Sequence, residues 1–234
     1  RAKIEQSPMG AYQWMIVVMA AIMNLLDGFD VLALAFTATA IRGEFGLTGI
    51  ELGYLLSAGL FGMTAGSLFL APLADKIGRR PLLLMAVSLS AIGMLGSAFI
   101  SQYQWLGFWR VITGLGVGGI LVGTNVITSE YSSRKWRSFA ISVYAAGFGI
   151  GAVLGGMFAV MLQGEYGWRS VFLAGAILTG LLLVVLFIWL PESIDFLTSK
   201  QPKNAEVRLN LIAKKISLAG DWKLPEKAEK VKTK

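Results

Sequence analysis

An all-α, polytopic membrane protein with six transmembrane helices is the fold class this sequence predicts, and three observations predict it. Of its 234 residues, 55% are hydrophobic and only 15% charged, which is too apolar for an ordinary soluble domain. The apolar residues gather into six runs, each long enough for the roughly 20 helical residues that cross a bilayer. The charges fall outside those runs: ten of the 21 basic residues lie from Lys200 onward, and most others occupy short gaps. That placement argues against the nucleic-acid partner that a formal net charge of +7 would otherwise suggest.

The six spans are expected at about Trp14–Ile41, Gly49–Ala74, Pro81–Ser101, Gln104–Thr128, Phe139–Leu162 and Val171–Leu190. The first is too long to be the apolar core of a cleavable leader. Lys and Arg accumulate on the cytoplasmic side of a membrane. Arg1, Lys3, Lys76, Arg79, Arg80, Arg134, Lys135, Arg137 and the basic tail fall on one side. Only Arg42 and Arg169 fall on the other, and Arg110 lies within a span. Both termini are therefore expected in the cytoplasm. Trp14, Trp136 and Trp189 sit near inner ends of spans, and Tyr103, Trp105, Tyr166 and Trp168 near outer ends, as an aromatic belt requires.

Spans two, four and five are rich in glycine. Gly59, Gly62 and Gly66 lie in span two, Gly114 and Gly118 in span four, and Gly147, Gly151 and Gly155 in span five. Spacings of four let helix backbones approach closely. Ala58–Gly62 in span two echoes 146–149 in span five, which fits a repeat of two three-helix units.

After span six, Pro191-Glu192-Ser193 stops the helix. Residues Asn204–Ala219 then read as an amphipathic helix, with Leu209, Ile212, Ala213 and Ile216 on one face. Asn204 is the expected N-cap and Gly220 the expected stop. A basic amphipathic helix at this place lies on the inner membrane surface, and residues Pro225–Lys234 read as a disordered, charged end. The chain thus divides into a cytoplasmic N-terminal segment (1–13), a six-helix transmembrane unit (14–190) and a cytoplasmic linker (191–234).

The chain has no Cys and no His. Thiolate metal sites, disulfides and cysteine nucleophiles are excluded, no metal-ligand cluster or nucleophile elbow is visible, and an enzyme is not expected. Any proton handling falls to carboxylates. Asp27 and Asp30, three residues apart in span one, share a helix face. A charge at this depth costs a few kcal/mol and normally faces a protein interior or a watery cavity. Two crowded carboxylates out of bulk water are expected to hold a proton between them near neutral pH. Arg110, about four residues inside span four, either pairs with such a carboxylate or snorkels to the outer surface. Asn24 and Tyr144 are further candidates for lining a cavity.

Several motifs carry a resemblance. Ala71-Pro72-Leu73-Ala74-Asp75-Lys76-Ile77-Gly78-Arg79-Arg80, between spans two and three, resembles the loop signature of the major facilitator superfamily. Ala71 stands where that signature usually has glycine. Arg110 with its following glycines, the charged stretch from Glu130 through Arg134 to Arg137, and Pro191-Glu192-Ser193 resemble other motifs of the superfamily, in order. Gly147, Gly151, Gly155 and Gly156 resemble the span-five motif of drug/proton antiporters, but Ala152 replaces its central proline. Asp27-Gly28-Phe29-Asp30 is similar to the signature of the aromatic acid:proton symporter family.

The resemblance implies the N-terminal half of a major facilitator fold, and proton-coupled uptake of a small aromatic carboxylate from the lipid bilayer-bounded outside of the cell. The partners it implies are the bilayer, the aromatic acid, and a C-terminal six-helix half or a second copy to complete the site; no nucleic acid is implied, and no cofactor beyond the proton as coupling ion. Asp27, Asp30 and Arg110 would bind proton and substrate. Asp75, Gly78, Arg79, Arg80, Glu130 and Arg137 would form a cytoplasmic latch that closes in one conformation and parts in another; the alternative is a topology-setting basic turn. For the buried charges the alternative is a fixed ion network. A sugar or other organic anion as cargo, and a non-transporting six-span scaffold or receptor-like protein, are the competing functions.

Overall fold

The computed structural model of the protein describes residues 5, 7–216 and 222. Six long helices dominate it: α1 (Ala11–Phe45), α2 (Gly49–Ile77), α3 (Arg79–Ala98), α4 (Tyr103–Tyr131), α5 (Arg137–Tyr166) and α6 (Arg169–Trp189). All six are long and apolar enough to cross a membrane, and among the described residues there are no strands. Each matches an expected span, extended by a few residues at one or both ends except where α3 and α6 stop slightly early. At 1.5 Å per residue, the 20 residues of α3 reach about 30 Å, one hydrocarbon thickness. The 35 residues of α1 reach about 50 Å and project beyond it.

Short connections join the spans. Gly46, at φ 63°, closes α1 in a left-handed cap, and Thr48 with Glu51 opens α2 as a capping box. In that box Glu51 N donates to Thr48 Oγ1, and Thr48 N donates to Glu51 Oε2 at 2.8 Å. Gly78 turns α2 into α3 at φ 105°, a value that L side chains rarely adopt.

The helices associate through two matched interfaces. In one, α2 lies on α4: a Cβ on Gly62 or Gly66 would strike the carbonyl oxygens of Val111 or Leu115, and one on Gly114 or Gly118 those of Gly59 or Met63. In the other, α1 lies on α5: Gly147 and Gly151 rest on the carbonyls of Ala21 and Leu25, while Gly28 rests on that of Phe148. Exchanging the first three helices for the last three turns one interface into the other, which is the expected 3+3 repeat. Helix α3 fills the space between α4 and α6. Two buried apolar clusters stack along the bundle. One runs from Met23 and Leu26 through Ile127 and Leu186 to the linker, and the other gathers Phe29, Met94, Leu106 and Phe172. The outward faces of α2, α5 and α6 remain apolar and exposed, as a lipid environment permits.

The linker differs from expectation. A seven-residue helix, α7 (Ile194–Lys200), follows the Pro191-Glu192-Ser193 stop. It is too short to show a hydrophobic period. The amphipathic helix α8 spans Ala205–Lys215, with Ile216 as its C-cap, and so ends before the anticipated Ala219. Asn204 occupies the N-cap position in a left-handed conformation without a side-chain cap bond. Leu209, Ile212, Ala213 and Ile216 are buried as their spacing requires. The proposed stop at Gly220 and the stretch 225–234 lie outside the described residues, as do residues 1–4.

Gly151 supplies a direct test of the α1–α5 contact. Gly151→Ala is expected to destabilise the folded protein by about 1–3 kcal/mol, because the methyl group must displace the Leu25 backbone. Gly149→Ala, where an added Cβ meets nothing within 4 Å, is expected to be neutral or slightly stabilising. Thermal unfolding in detergent compares the two.

Candidate functional site

The polar residues of α1 project into the interior at successive turns. Asn24 is 3% exposed, Asp27 2% and Asp30 1%. They lie where the two apolar clusters meet, since Leu26 belongs to one and Phe29 to the other. Asn24 Nδ2 donates to the Tyr144 carbonyl at 2.9 Å and to that of Ala145 at 3.4 Å, which fixes α1 to α5. Asp27, the next turn on, has an Oδ2 atom that is buried without any hydrogen-bond partner. Asp30 accepts a 2.6 Å bond from Ser90 Oγ of α3, and its Oδ1 also lacks a partner. Oδ1 faces the α6 backbone at Gly175. The shared face read from the sequence is therefore real, but it fans out from α5 to α3 and α6 across the bundle interior.

Arg110 is 3% exposed and does not snorkel. Its Nη2 donates to Ser97 Oγ at 2.9 Å and Thr113 Oγ1 at 3.0 Å, and approaches Met94 Sδ at 3.1 Å. Its guanidinium carbon lies 4.8 Å from the centroid of the Phe172 ring, a cation–π contact. Toward Asp30 it reaches the backbone oxygen, at 3.3 Å from Nη1, and makes no ion pair with the carboxylate. Nε is buried and unpartnered. The anticipated arginine partner is thus adjacent to Asp30 but joined to its main chain. The Ser90, Ser97, Thr113 and Phe172 contacts escaped sequence reasoning, because small polar residues on apolar helices carry no pattern of their own.

Asp30 and Arg110 line a cavity of about 30 Å³ bounded by Val31 and Leu34 of α1, Leu56, Gly59 and Leu60 of α2, and Thr113 of α4. That volume accommodates water rather than an aromatic ring. Asp27, Asn24 and Tyr144 are not part of its lining. Tyr144 packs in the inner apolar cluster, with its hydroxyl 3.5 Å from the Leu121 carbonyl oxygen.

The latch candidates form two intramolecular arrangements. Asp75 pairs with Arg79 across the Gly78 turn. Arg80 Nη2 donates to the Phe187 carbonyl of α6 at 2.7 Å. Glu192, which the sequence offers only as part of the Pro191-Glu192-Ser193 motif, carries its side chain over Gly78; its Oε1 accepts from the backbone N–H groups of Arg79, Arg80 and Ser193. Glu130 binds the linker: it accepts from Ser193 Oγ and from the backbone N–H groups of Ile194 and Asp195, capping α7. Arg137 instead pairs with Glu5 at 2.8 Å. Among the described residues there is no grouping of metal-ligating side chains.

Residues 20–224 match the sequence profile of the Major Facilitator Superfamily. A gallate transporter of Pseudomonas putida is 36% identical over 87% of this chain and 45% of its own length. The 4-hydroxybenzoate transporter PcaK of the same organism is 35% identical over 95% of this chain and 50% of its own length. The chain spans about half the length of the curated relatives it matches. Among solved structures, a partially occluded inward-open form of the xylose transporter XylE from E. coli superimposes with a TM-score of 0.76. It covers 86% of this chain and 55% of that one at 22% identity, a likeness of fold alone.

Thermal stability separates the bonded carboxylates from the unbonded ones here. A buried carboxyl oxygen without a partner opposes folding, so Asp27→Asn is expected to leave stability unchanged or raised. Glu130→Ala removes the acceptor of several buried donors and is expected to cost about 2–3 kcal/mol. Loss of folded protein on Asp27→Asn would instead make Asp27 part of a fixed structural network.

Proposed function

The chain belongs to the major facilitator superfamily, and from that membership we propose that it forms the N-terminal six-helix half of a proton-coupled importer of an aromatic carboxylate. It is set in the inner membrane with both termini in the cytoplasm, as the distribution of basic residues favours. A second six-helix unit supplies the other wall of the site. The observation that carries the proposal is the pair of buried, incompletely partnered aspartates on α1 beside a buried arginine on α4. A structural ion network would leave fewer such atoms unbonded. The similarity to transporters named for gallate and 4-hydroxybenzoate supports the substrate class.

In this reading Asp27 and Asp30 take up the coupling proton. Arg110 binds the substrate carboxylate through its guanidinium. Nη2 is already held by Ser97 and Thr113, which fixes the guanidinium plane. Nε has no partner, and the Nη1 bond to the Asp30 carbonyl is long at 3.3 Å. A carboxylate can accept in bidentate geometry from Nε with Nη2 or from Nη1 with Nη2, so either fork draws Nη2 away from Ser97 or Thr113. Phe172, stacked against the guanidinium, limits its rotation. Because the cavity is water-sized, the aromatic ring must lie beyond it, against the opposing half, or displace the α2 wall at Leu56 and Leu60. Loading a proton beside Arg110 changes the charge balance of the site. The anion can then bind and the occupied site reorient by alternating access.

Uptake measured in vesicles holding the complete transporter tests this. Labelled aromatic acids are expected to accumulate and sugars are not. Accumulation should fall as external pH rises and vanish with a protonophore, because the inward proton gradient drives it. Asp27→Asn and Asp30→Asn should each reduce driven accumulation to background; uptake with unchanged pH dependence in both would sink the assignment. Arg110→Lys, which keeps the charge but loses the fork, should raise KM by about tenfold.

A further inference from the structure

A groove of about 220 Å³ lies between the end of α6, the start of α1 and the surface helix α8, remote from the aspartate pair. Arg80, Arg208 and Lys215 line it together with the ring of Tyr12. None of these cations makes an ion pair among the described residues, and Arg80 lies over the Phe187 ring at 5.9 Å. Arg80 donates one bond to a backbone carbonyl and its Nε has no acceptor. Lys215 Nζ sits 5.1 Å from the Tyr12 ring centroid, and Arg208 makes no ion pair among the described residues. Glu192, the carboxylate in the lining, is turned to the N–H groups of Arg79, Arg80 and Ser193 through Oε1. The groove therefore sets three cations against one carboxylate and carries a net positive charge.

Its other wall is apolar. Ile188, Trp189 and Leu211 line it and are 62%, 50% and 56% exposed. Ile188 and Trp189 continue the flank of α6 that faces the bilayer, where Phe187 is 66% exposed. A phosphate next to acyl chains matches this division, with the anion among the cations and the hydrocarbon on α6. A Trp at the end of a span marks headgroup depth. We propose that the groove is a binding site for an anionic phospholipid of the inner leaflet, which pins α8 to the membrane end of α6. A free phosphate would use the cations and leave the apolar wall exposed, so the lipid is the favoured occupant. The site does not depend on what the protein transports.

Native mass spectrometry of the complete transporter, purified in an uncharged detergent, tests the proposal with phosphatidylglycerol, phosphatidylcholine and glycerol 3-phosphate as probes. Phosphatidylglycerol should remain bound at concentrations where phosphatidylcholine does not, and millimolar glycerol 3-phosphate should not displace it. The double variant Arg208→Gln, Lys215→Gln should weaken phosphatidylglycerol binding roughly thirtyfold, as expected for two cations close to a membrane surface. Lys200→Gln with Lys203→Gln removes the same charge from exposed positions elsewhere on the linker and should leave binding unchanged. Equal weakening by the two variants, unaltered binding in the first, equal affinity for phosphatidylcholine, or displacement by glycerol 3-phosphate would each overturn it.

Discussion

Backbone contact between helices is the constraint on which this molecule depends. In lipid there is little hydrophobic gain from bringing two apolar helices together, so association rests on close packing and on polar contacts. Here α1 meets α5 and α2 meets α4 with glycine against carbonyl oxygen, closer than any side chain would allow. The functional candidates sit beside these contacts. Gly28, pressed on the Phe148 carbonyl, lies between Asp27 and Asp30, and Gly114, pressed on the Gly59 carbonyl, is one turn from Arg110. The side chains that must hold a precise geometry therefore stand on the stretches of backbone with the least freedom to shift. Placing them on the outward faces of α2 or α5 would have left their positions to the surrounding lipid.

The interior polar groups fall into two kinds. Glu130 and Asn24 are tied to backbone groups of other elements, and they join helices that would otherwise touch only through small residues. Asp27 and Asp30 each retain a buried carboxylate oxygen with no hydrogen bond. A buried polar network favours folding only when its members are satisfied, so the second kind is a cost to stability. Arg110 stands between them, held firmly at Nη2 and free at Nε. This unequal treatment of neighbouring charges differs from a structural ion pair, in which both partners would close on each other.

Much of the frame was legible because membrane helices leave a coarse signal. Six apolar runs, the basic residues between them and glycines four apart specify spans and packing surfaces without reference to tertiary structure. Asp27, Asp30 and Arg110 were visible for the same reason, since charge in an apolar run is conspicuous. Their bonding was not. Ser90, 60 residues from Asp30, and Phe172 beside Arg110 are ordinary residues for their helices, and only the fold makes them partners. Glu130 was visible as a charge, but its partner Ser193 is 63 residues away on a helix too short to have a period. The early end of α8 is a related case. Its buried positions follow the expected spacing, but no residue at Ile216 announces a stop, because the helix ends there in an ordinary conformation rather than at a glycine.

The linker contacts also constrain how the cytoplasmic end can move. Glu192 binds the N–H groups of the α2–α3 turn, Tyr131 Oη donates to the Glu192 carbonyl at 2.7 Å, and Glu130 caps α7. Gln13 Nε2 donates in turn to the Tyr131 carbonyl at 2.7 Å, which adds the start of α1. The starts of α1 and α3, the ends of α4 and α6 and the start of the linker are thus one cross-bonded block. Opening this block would leave buried donors and acceptors unpaired, each worth about 1–3 kcal/mol. Gly78 contributes by its shape as well as its turn, since a side chain there would occupy the space of the Glu192 carboxylate. A latch built from Asp75, Arg79 and Arg80 against another helix of this unit would have to break that block. Relative motion of low cost is left to the outer surface of the block, where Asp75 is 64% exposed and its pairing with Arg79 is open to exchange for another partner.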